Sequence, residues 1–469
     1  MASRGINVVV QVGSTICLAR LLMPEDVGLV GMVTVYTGLA PVLMDLGTRD
    51  AAVQKAKITE EEVSALFWLT MGIGALMAVS LVLCSPLIVL YNHGESQLQK
   101  IAVVSAITFI LSAASCQHMA LLRRAMRFKQ IAVIEVGANL VGSIGAIAMA
   151  LADWGYWALV LKPIIAAVFT LAAVCFCCRW VPGIPRLTDG VKEMLKFGIN
   201  VTGFTLTDYV GRVADRFAIG GRGGKTELGY YNQGFFVYDN TLGLLAISLH
   251  SVAVASLSKL RDNVDELKRS WAKALSTLAF YGMPAFALLA VTGEDFVVVV
   301  LGEKWLYTGT IVSVLAMRGI PHVVERTLGW LHVPAGRSDR WMRWGVISSV
   351  VQIIALFCGL PFGTMGVAAA YAISMYFMFI PAIAYAGQPF GIGAKDVIRA
   401  VGPQLIGALS CAALGFALRF WVLPDMHRLG RIPLILMACG VLYLAIVVGM
   451  FKLTKPLEIV QSLLKRSKS

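Results

Sequence analysis

Long apolar runs recur along the whole chain, and each is separated from the next by a short polar break. A run of about 20 apolar residues forms a helix long enough to cross roughly 30 Å of hydrocarbon. The pattern therefore predicts about fourteen membrane spans and leaves no stretch for a soluble domain. The predicted spans begin near Gly5, Val27, Val63, Gln99, Ile131, Gly155, Leu195, Glu227, Trp271, Leu306, Trp344, Thr364, Val401 and Ile432.

The composition agrees with a membrane protein. Hydrophobic residues make up 58% of the 469 positions, charged residues make up 14%, and the mean hydropathy is +0.76. These values lie outside the range of soluble globular domains, so the predicted fold class is an all-α integral membrane protein. The formal net charge of +13 is dispersed over short loops, which argues against nucleic-acid binding and favours contact with the anionic headgroups of the bilayer.

The basic residues are divided unevenly between alternate breaks. The break after the fourth span holds Arg123, Arg124, Arg127 and Lys129, whereas the break after the third span holds only Lys100. The same excess follows the other even-numbered spans. Because Lys and Arg collect on the cytoplasmic side of short loops, both termini are predicted to be cytoplasmic.

A short repeat divides the chain into two halves. The turn PEDVGLVGM before the second span recurs as KTELGYYNQG before the eighth, so that Asp26-Val27-Gly28-Leu29 matches Glu227-Leu228-Gly229-Tyr230. A repeat six spans apart predicts two homologous halves in the same orientation, related by a pseudo-twofold axis along the membrane normal. The predicted organisation is an N-terminal six-helix lobe (1–180), a cytoplasmic linker (181–195), a C-terminal six-helix lobe (196–386), helices thirteen and fourteen (387–453) and a basic cytoplasmic tail (454–469).

Two predicted spans carry charged residues at the same spacing of i, i+4, i+7 and i+8. On a helix this spacing confines the four side chains to one face about 100° wide, which would be costly to expose to lipid. Two interpretations remain open: the charges pair and hold helices together, or they line a hydrated cavity whose surplus arginines bind an anionic group such as phosphate. The sets are Asp208, Arg212, Asp215 and Arg216 in span seven, and Arg318, His322, Glu325 and Arg326 in span ten.

Other polar groups inside spans are candidates for energy coupling. Glu135 in span five and Asp239 in span eight are carboxylates that could bind H⁺ or Na⁺, although interhelical pairing also explains them. Among the nine cysteines, the run CFCC (Cys175, Cys177 and Cys178) has no histidine at ligand spacing. We therefore predict no metal site, no catalytic residue and no cofactor beyond a coupling ion.

Six segments carry a resemblance to a known family over nearly the whole chain. The sequence resembles the polysaccharide transporter branch of the multidrug/oligosaccharidyl-lipid/polysaccharide flippase superfamily. One departure is the glycine-rich stretch GGRGGKTELG, where the family commonly has a more apolar linker. The matching segments are LARLLMPEDVGLVGM, DLGTRDAAVQKAKITEEEVSALFWL, ALLRRAMRFKQIAVIE, ELGYYNQGF, SLSKLRDNVDELKRSWAKAL and VVLGEKWL.

The resemblance implies two six-helix lobes around a central cavity, with two further C-terminal helices. It also implies that the protein is not an enzyme but a flippase of the bacterial inner membrane. Its substrate would be an undecaprenyl-pyrophosphate-linked oligosaccharide, moved to the periplasmic leaflet by alternating access for exopolysaccharide, capsule or O-antigen assembly. A polysaccharide polymerase and glycosyltransferases would be its partners, and the charged faces of spans seven and ten would meet the pyrophosphate and the sugars.

Three other functions compete with this one. A cation-coupled multidrug exporter of the same superfamily would share the fold but would centre on acidic cavity groups. An integral-membrane polysaccharide polymerase or ligase would need a substantial periplasmic loop with catalytic groups, and all the predicted outer loops are short. A purely structural scaffold would not need charges within its spans.

Overall fold

The computed structural model describes residues 2–39, 43, 59–185, 189–261, 263–332, 334 and 337–453. The side chains of residues 2–4, 189–205, 207, 208, 242, 244–248, 251, 252, 255 and 338 lie outside this description, as does the predicted tail 454–469. The described residues form thirteen helices and no strand. They are α1 (Ala2–Leu21), α2 (Pro24–Thr37), α3 (Glu60–Tyr91), α4 (Gln97–Arg124), α5 (Phe128–Leu151), α6 (Trp157–Cys178), α7 (Asp189–Lys259), α8 (Val264–Leu301), α9 (Leu306–His332), α10 (Ser338–Gly359), α11 (Gly363–Gly387), α12 (Ala394–Ala417) and α13 (Arg428–Leu444).

The helices follow the predicted spans, and the predicted class of all-α membrane protein is confirmed. Within the described chain, eight helical stretches are long and apolar enough to cross a membrane, and one of them, Asp339–Phe390, includes both α10 and α11. Spans seven and eight both lie in α7, which is broken at Gly224, where φ is 75° and ψ is −173°. The glycine-rich stretch is therefore a break between two helical segments, at a backbone conformation that glycine adopts without steric cost.

Local sequence signals set the helix starts. At the start of α3, the Thr59 hydroxyl accepts from the Glu62 backbone N–H (3.3 Å), and the Glu62 carboxylate accepts from the Thr59 N–H (3.2 Å). At the start of α2, the carboxylate of Asp26, the acid of the repeat, accepts from the Met23 N–H at 3.0 Å. Both contacts satisfy donors that a helix N-terminus leaves without an intrahelical partner.

The chain forms two compact units, Met1–Asn232 and Gln233–Ser469, hereafter unit 1 and unit 2. Unit 1 contains α1 to α6 and α7 as far as Asn232, so it includes all of span seven. Unit 2 contains the rest of α7 and α8 to α13. The predicted lobe boundary at 181–195 remains a prediction, and the division between the compact units falls elsewhere, within span eight.

In unit 1, the two glycines of the repeat meet where α2 crosses α7. A Cβ atom on Gly28 would lie 1.6 Å from the Lys225 carbonyl oxygen, and one on Gly229 would lie 1.9 Å from the Pro24 carbonyl oxygen. Only glycine permits so close an approach of two backbones. Lys225 also contacts Glu95 at 2.8 Å, and this hydrogen bond is the main reason that the pKa of Lys225 is raised. The repeat turns therefore pack directly against each other.

The segment that follows α6 is attached to α3. The Trp68 indole N–H donates to the Gly183 carbonyl at 2.9 Å, and the Gly183 N–H donates to the Ser64 hydroxyl at 3.0 Å. Two hydrogen bonds on one residue hold the beginning of the predicted linker against unit 1.

In unit 2, α12 and α13 pack on α8 through an apolar core and a set of ion pairs. The Tyr443 hydroxyl donates to the Phe280 carbonyl at 2.8 Å within that core. Nearby, Arg431 makes two hydrogen bonds, at 2.6 and 2.9 Å, to the Asp295 carboxylate, whose side chain is 2% exposed. The predicted helices thirteen and fourteen are thus an integral part of unit 2.

Candidate functional site

The charged face of span ten lies on α9 and meets the second segment of α7, within unit 2. His322 Nδ1 lies 2.8 Å from the Tyr238 hydroxyl, and Arg326 Nε donates to His322 Nε2 at 3.4 Å. Because Nε2 accepts from arginine, the neutral imidazole carries its proton on Nδ1 and donates it to Tyr238. The contact orients the ring and joins the two helices.

The cations of this face have partners of two kinds. Arg326 forms an ion pair with Asp239, with 3.2 Å between Nη2 and Oδ1. The Arg318 guanidinium carbon lies 5.5 Å from the ring centroid of Tyr371 and 6.0 Å from that of Tyr238, which is the range of cation–π contact. Glu325 approaches His322 at 3.9 Å. The name α9 cluster hereafter means Arg318, His322, Glu325 and Arg326, together with Tyr238 and Asp239.

Both interpretations of the span-ten charges remain predictions. Arg326 and Asp239 form the kind of interhelical pair that the first interpretation, charge pairing, predicts. The sequence did not identify Arg326 as the partner of Asp239. Arg318, in contrast, meets the aromatic faces of Tyr238 and Tyr371.

The span-seven residues lie in unit 1, and their environments differ. The Asp208 side chain lies outside the described residues. Asp215 is 2% exposed and accepts from the Tyr231 hydroxyl at 2.8 Å, across the break at Gly224. Arg212 is exposed and Arg216 is half-buried. The helical face predicted from spacing is thus divided between a buried carboxylate and more accessible cations. That the charged faces of spans seven and ten meet the substrate remains a prediction.

Glu135 lies in the wall of a cavity of about 480 Å³ within unit 1. The Arg123 guanidinium lies 3.9 Å from the Glu135 carboxylate, beyond hydrogen-bond distance, and both side chains are partly exposed. The remaining wall is apolar except for hydroxyls. These hydroxyls belong to Thr34, Thr37, Ser105, Thr108, Ser112, Ser115 and Thr170.

Sequence reasoning missed this cavity, although α4 carries a signal for it. Ser105, Thr108, Ser112 and Ser115 recur at i, i+3, i+7 and i+10, which places four hydroxyls on one face of the helix. Such a face in an otherwise apolar span indicates polar contacts within the protein.

Metal ligands do not cluster in the part of the chain that the structure describes. Among those residues, no group of three or more His, Cys, Asp or Glu side chains could hold a metal ion. The cysteines of that part are all free thiols.

Comparison with known proteins identifies relatives along most of the chain. Residues 17–309 match the model of a family described as "Polysaccharide biosynthesis protein". The chain is 26% identical over 374 residues to the lipopolysaccharide biosynthesis protein WzxC of Escherichia coli K12, covering 78% of this chain and 74% of that protein. It is 26% identical over 346 residues to the teichuronic acid biosynthesis protein TuaB of Bacillus subtilis 168, with coverage of 72% and 70%.

Solved structures share the fold at low sequence identity. The lipid II flippase MurJ, in an inward closed conformation, superposes with a TM-score of 0.75 and 14% identity, over 96% of this chain and 98% of that one. An inward-facing multidrug transporter of the MATE family gives a TM-score of 0.63 and 13% identity, with coverage of 82% and 94%. The helices described above therefore have the arrangement of the MurJ and MATE proteins.

Proposed function

The chain belongs to the polysaccharide biosynthesis protein family, as its sequence resemblance predicted, and we propose that it is a flippase for lipid-linked oligosaccharides. Its substrate in this proposal is an undecaprenyl-pyrophosphate-linked repeat unit. The protein would move this unit from the cytoplasmic to the periplasmic leaflet of the bacterial inner membrane, with both of its own termini in the cytoplasm. The product would enter exopolysaccharide, capsule or O-antigen assembly.

The observation that carries the proposal is the combination of this family with a MurJ-like fold along 96% of the chain. The relatives WzxC and TuaB are named for lipopolysaccharide and teichuronic acid biosynthesis, and MurJ is named as a lipid II flippase. Two of these names specify biosynthesis, and the third specifies a lipid flippase. A transporter that supplies a polymerase, alongside glycosyltransferases that build the repeat unit, fits this pattern better than an enzyme does.

The α9 cluster supports the choice of an anionic substrate. Arginine side chains bind phosphate in bidentate fashion, and a desolvated setting strengthens such contacts. In this proposal Arg318 and Arg326 bind the pyrophosphate, and His322 and Glu325 orient them. Within unit 1, we also propose Asp208, Arg212, Asp215 and Arg216 of span seven as substrate-binding residues.

The pair between Arg326 and Asp239 also suggests how coupling could work. Protonation of Asp239, or Na⁺ binding to it, would remove its attraction for Arg326 and leave that guanidinium available for the substrate. Glu135, which lies near Arg123, is the corresponding candidate in unit 1. A drug exporter of the same fold would instead need acidic groups to dominate, whereas here arginines share the α9 cluster with the acids.

The proposal is tested in a deletion strain by mass spectrometry of polyprenyl-pyrophosphate-linked oligosaccharides, together with the amount of exported polymer. We expect a complete repeat unit to accumulate and the polymer to disappear. Lectin access to the retained glycan in spheroplasts then separates failed turnover, where the glycan is protected, from failed polymerisation. If neither the lipid-linked glycan nor the polymer changes, the proposed function is wrong.

The role of the arginines is tested by complementing that strain with Arg318→Ala. We expect polymer export to be abolished while folded protein persists in the membrane. Arg399→Ala is the matched control, because Arg399 is exposed on α12 of the same unit. Full export by Arg318→Ala would remove Arg318 from the binding surface.

A further inference from the structure

The cavity of unit 1 is built from four helices and is large enough for a ligand. It holds about 480 Å³, within the range of about 300–1,000 Å³ found for ligand sites. α2, α4, α5 and α6 all contribute to its wall, which combines apolar side chains such as Phe109 and Val160 with seven hydroxyls. A space that is both roomy and polar admits water or a polar ligand, unlike a dry apolar void.

The hydroxyls of this cavity fall into two groups with different hydrogen-bonding capacity. Thr34, Thr37, Ser115 and Thr170 donate their protons to carbonyls of their own helices, at 2.7, 3.4, 3.0 and 2.8 Å. Their oxygens therefore face a ligand as acceptors. Within the described chain the hydroxyls of Ser105 and Thr108 make no hydrogen bond to protein, so they can both donate and accept. Ser112 Oγ belongs to the same second group.

The charges of the cavity exclude strongly ionic ligands. Among the described residues that line it, Arg123 and Glu135 are the only charged ones, and they are 3.9 Å apart. A pyrophosphate would need several cationic donors, and a cationic drug would need an excess of acid. A nearly neutral ligand that offers many donors and acceptors at once matches the wall best, and sugar hydroxyls have this property.

We propose that this cavity binds a sugar residue of the transported oligosaccharide, through the α4 hydroxyls of Ser105, Thr108 and Ser112 and the charged groups of Arg123 and Glu135. The inference rests on the proposed function and adds a glycan subsite to it, separate from the arginines of the α9 cluster. The sugar replaces cavity water, and its hydroxyls take over the hydrogen bonds that the water made. Its less polar carbon faces contact the apolar part of the wall.

The test compares two probes on protein in lipid nanodiscs, by native mass spectrometry. One probe is the lipid-linked oligosaccharide extracted from the deletion strain, and the other is undecaprenyl pyrophosphate without sugar. In the double variant Thr108→Val with Ser112→Ala, two hydroxyls are lost with little change of shape. We expect this variant to bind the oligosaccharide lipid about tenfold more weakly, as the loss of two ordinary hydrogen bonds implies. Binding of undecaprenyl pyrophosphate should stay at the wild-type level.

The control is Ser80→Ala, which removes an exposed hydroxyl of α3 outside the cavity and should leave the binding of both probes unchanged. Wild-type affinity of the double variant for the oligosaccharide lipid would overturn the subsite, and so would an equal loss for both probes. If the double variant melts early, Ser105→Ala replaces it in the same comparison. Failure of the wild-type protein to bind the oligosaccharide lipid would instead contradict the proposed function itself.

Discussion

Replacing Gly229 by alanine should force apart the two turns of the internal repeat. The added Cβ would lie 1.9 Å from the Pro24 carbonyl oxygen, whereas ordinary contact begins at 3.4 Å, so the backbones must separate by about 1.5 Å. The atoms nearest to the added Cβ belong to the backbone of Pro24 and Gly28, so no side-chain rotation can relieve the clash. Overpacking of this kind costs about 1–3 kcal/mol, and we expect the upper end of that range.

The measurement is the melting temperature of purified protein in one detergent. A loss of about 3 kcal/mol in a unit of roughly 230 residues lowers the melting temperature by roughly 6–12 °C. Gly72→Ala is the matched control, because a Cβ at Gly72 meets nothing within 4 Å. Gly72→Ala should also gain the helix stability of about 1 kcal/mol that alanine has over glycine in a helix interior. The difference in melting temperature between the two variants therefore reports the steric clash at the crossing of α2 and α7. Equal melting temperatures of Gly229→Ala and Gly72→Ala would refute the close contact.

Two further predictions concern polar contacts away from the proposed binding surfaces. Asp295→Ala should lower the melting temperature strongly, because Arg431 loses its bidentate partner and Arg419 and Arg428, at 3.8 and 3.6 Å, lose the same buried carboxylate. Breaking a buried pair costs about 3–5 kcal/mol. A double variant that also carries Arg431→Met should recover part of the loss, because the arginine with the bidentate contact no longer lacks its partner. A double variant no more stable than Asp295→Ala would contradict the pairing. Trp68→Phe removes the indole donor to Gly183, so we expect faster proteolysis after residue 183 in membranes, and an unchanged cleavage rate would argue against this attachment.

Hydropathy and charge along the chain determined the class of the protein. An apolar run of about 20 residues has few alternatives to a membrane helix, because every backbone polar group must be satisfied within the segment. The internal repeat was also visible in the sequence, because Gly28 and Gly229 stand at matching positions. The structure brings these two glycines into direct contact. Family membership followed from the order and spacing of six segments, which no single motif would have established.

The tertiary structure alone decided which side chains meet. Helical periodicity places Arg318, His322 and Arg326 on one face of α9, but it does not say which face of another helix lies opposite. Only the packed helices show that Tyr238 and Asp239 are the partners. Asp215 and Tyr231 are likewise sixteen residues apart in sequence, on either side of the break at Gly224. The packed structure nevertheless joins them by a hydrogen bond.

The unit 1 cavity could not be predicted from the sequence, because the polar groups of its wall lie on four different helices. Its wall takes hydroxyls from α2, α4 and α6 and a carboxylate from α5, and each of these is unremarkable within its own helix. A serine or threonine in a membrane helix can satisfy itself on its own backbone, so one sequence gives no reason to group such residues. Their convergence depends on how four helices pack, and packing is a long-range property that local periodicity does not encode.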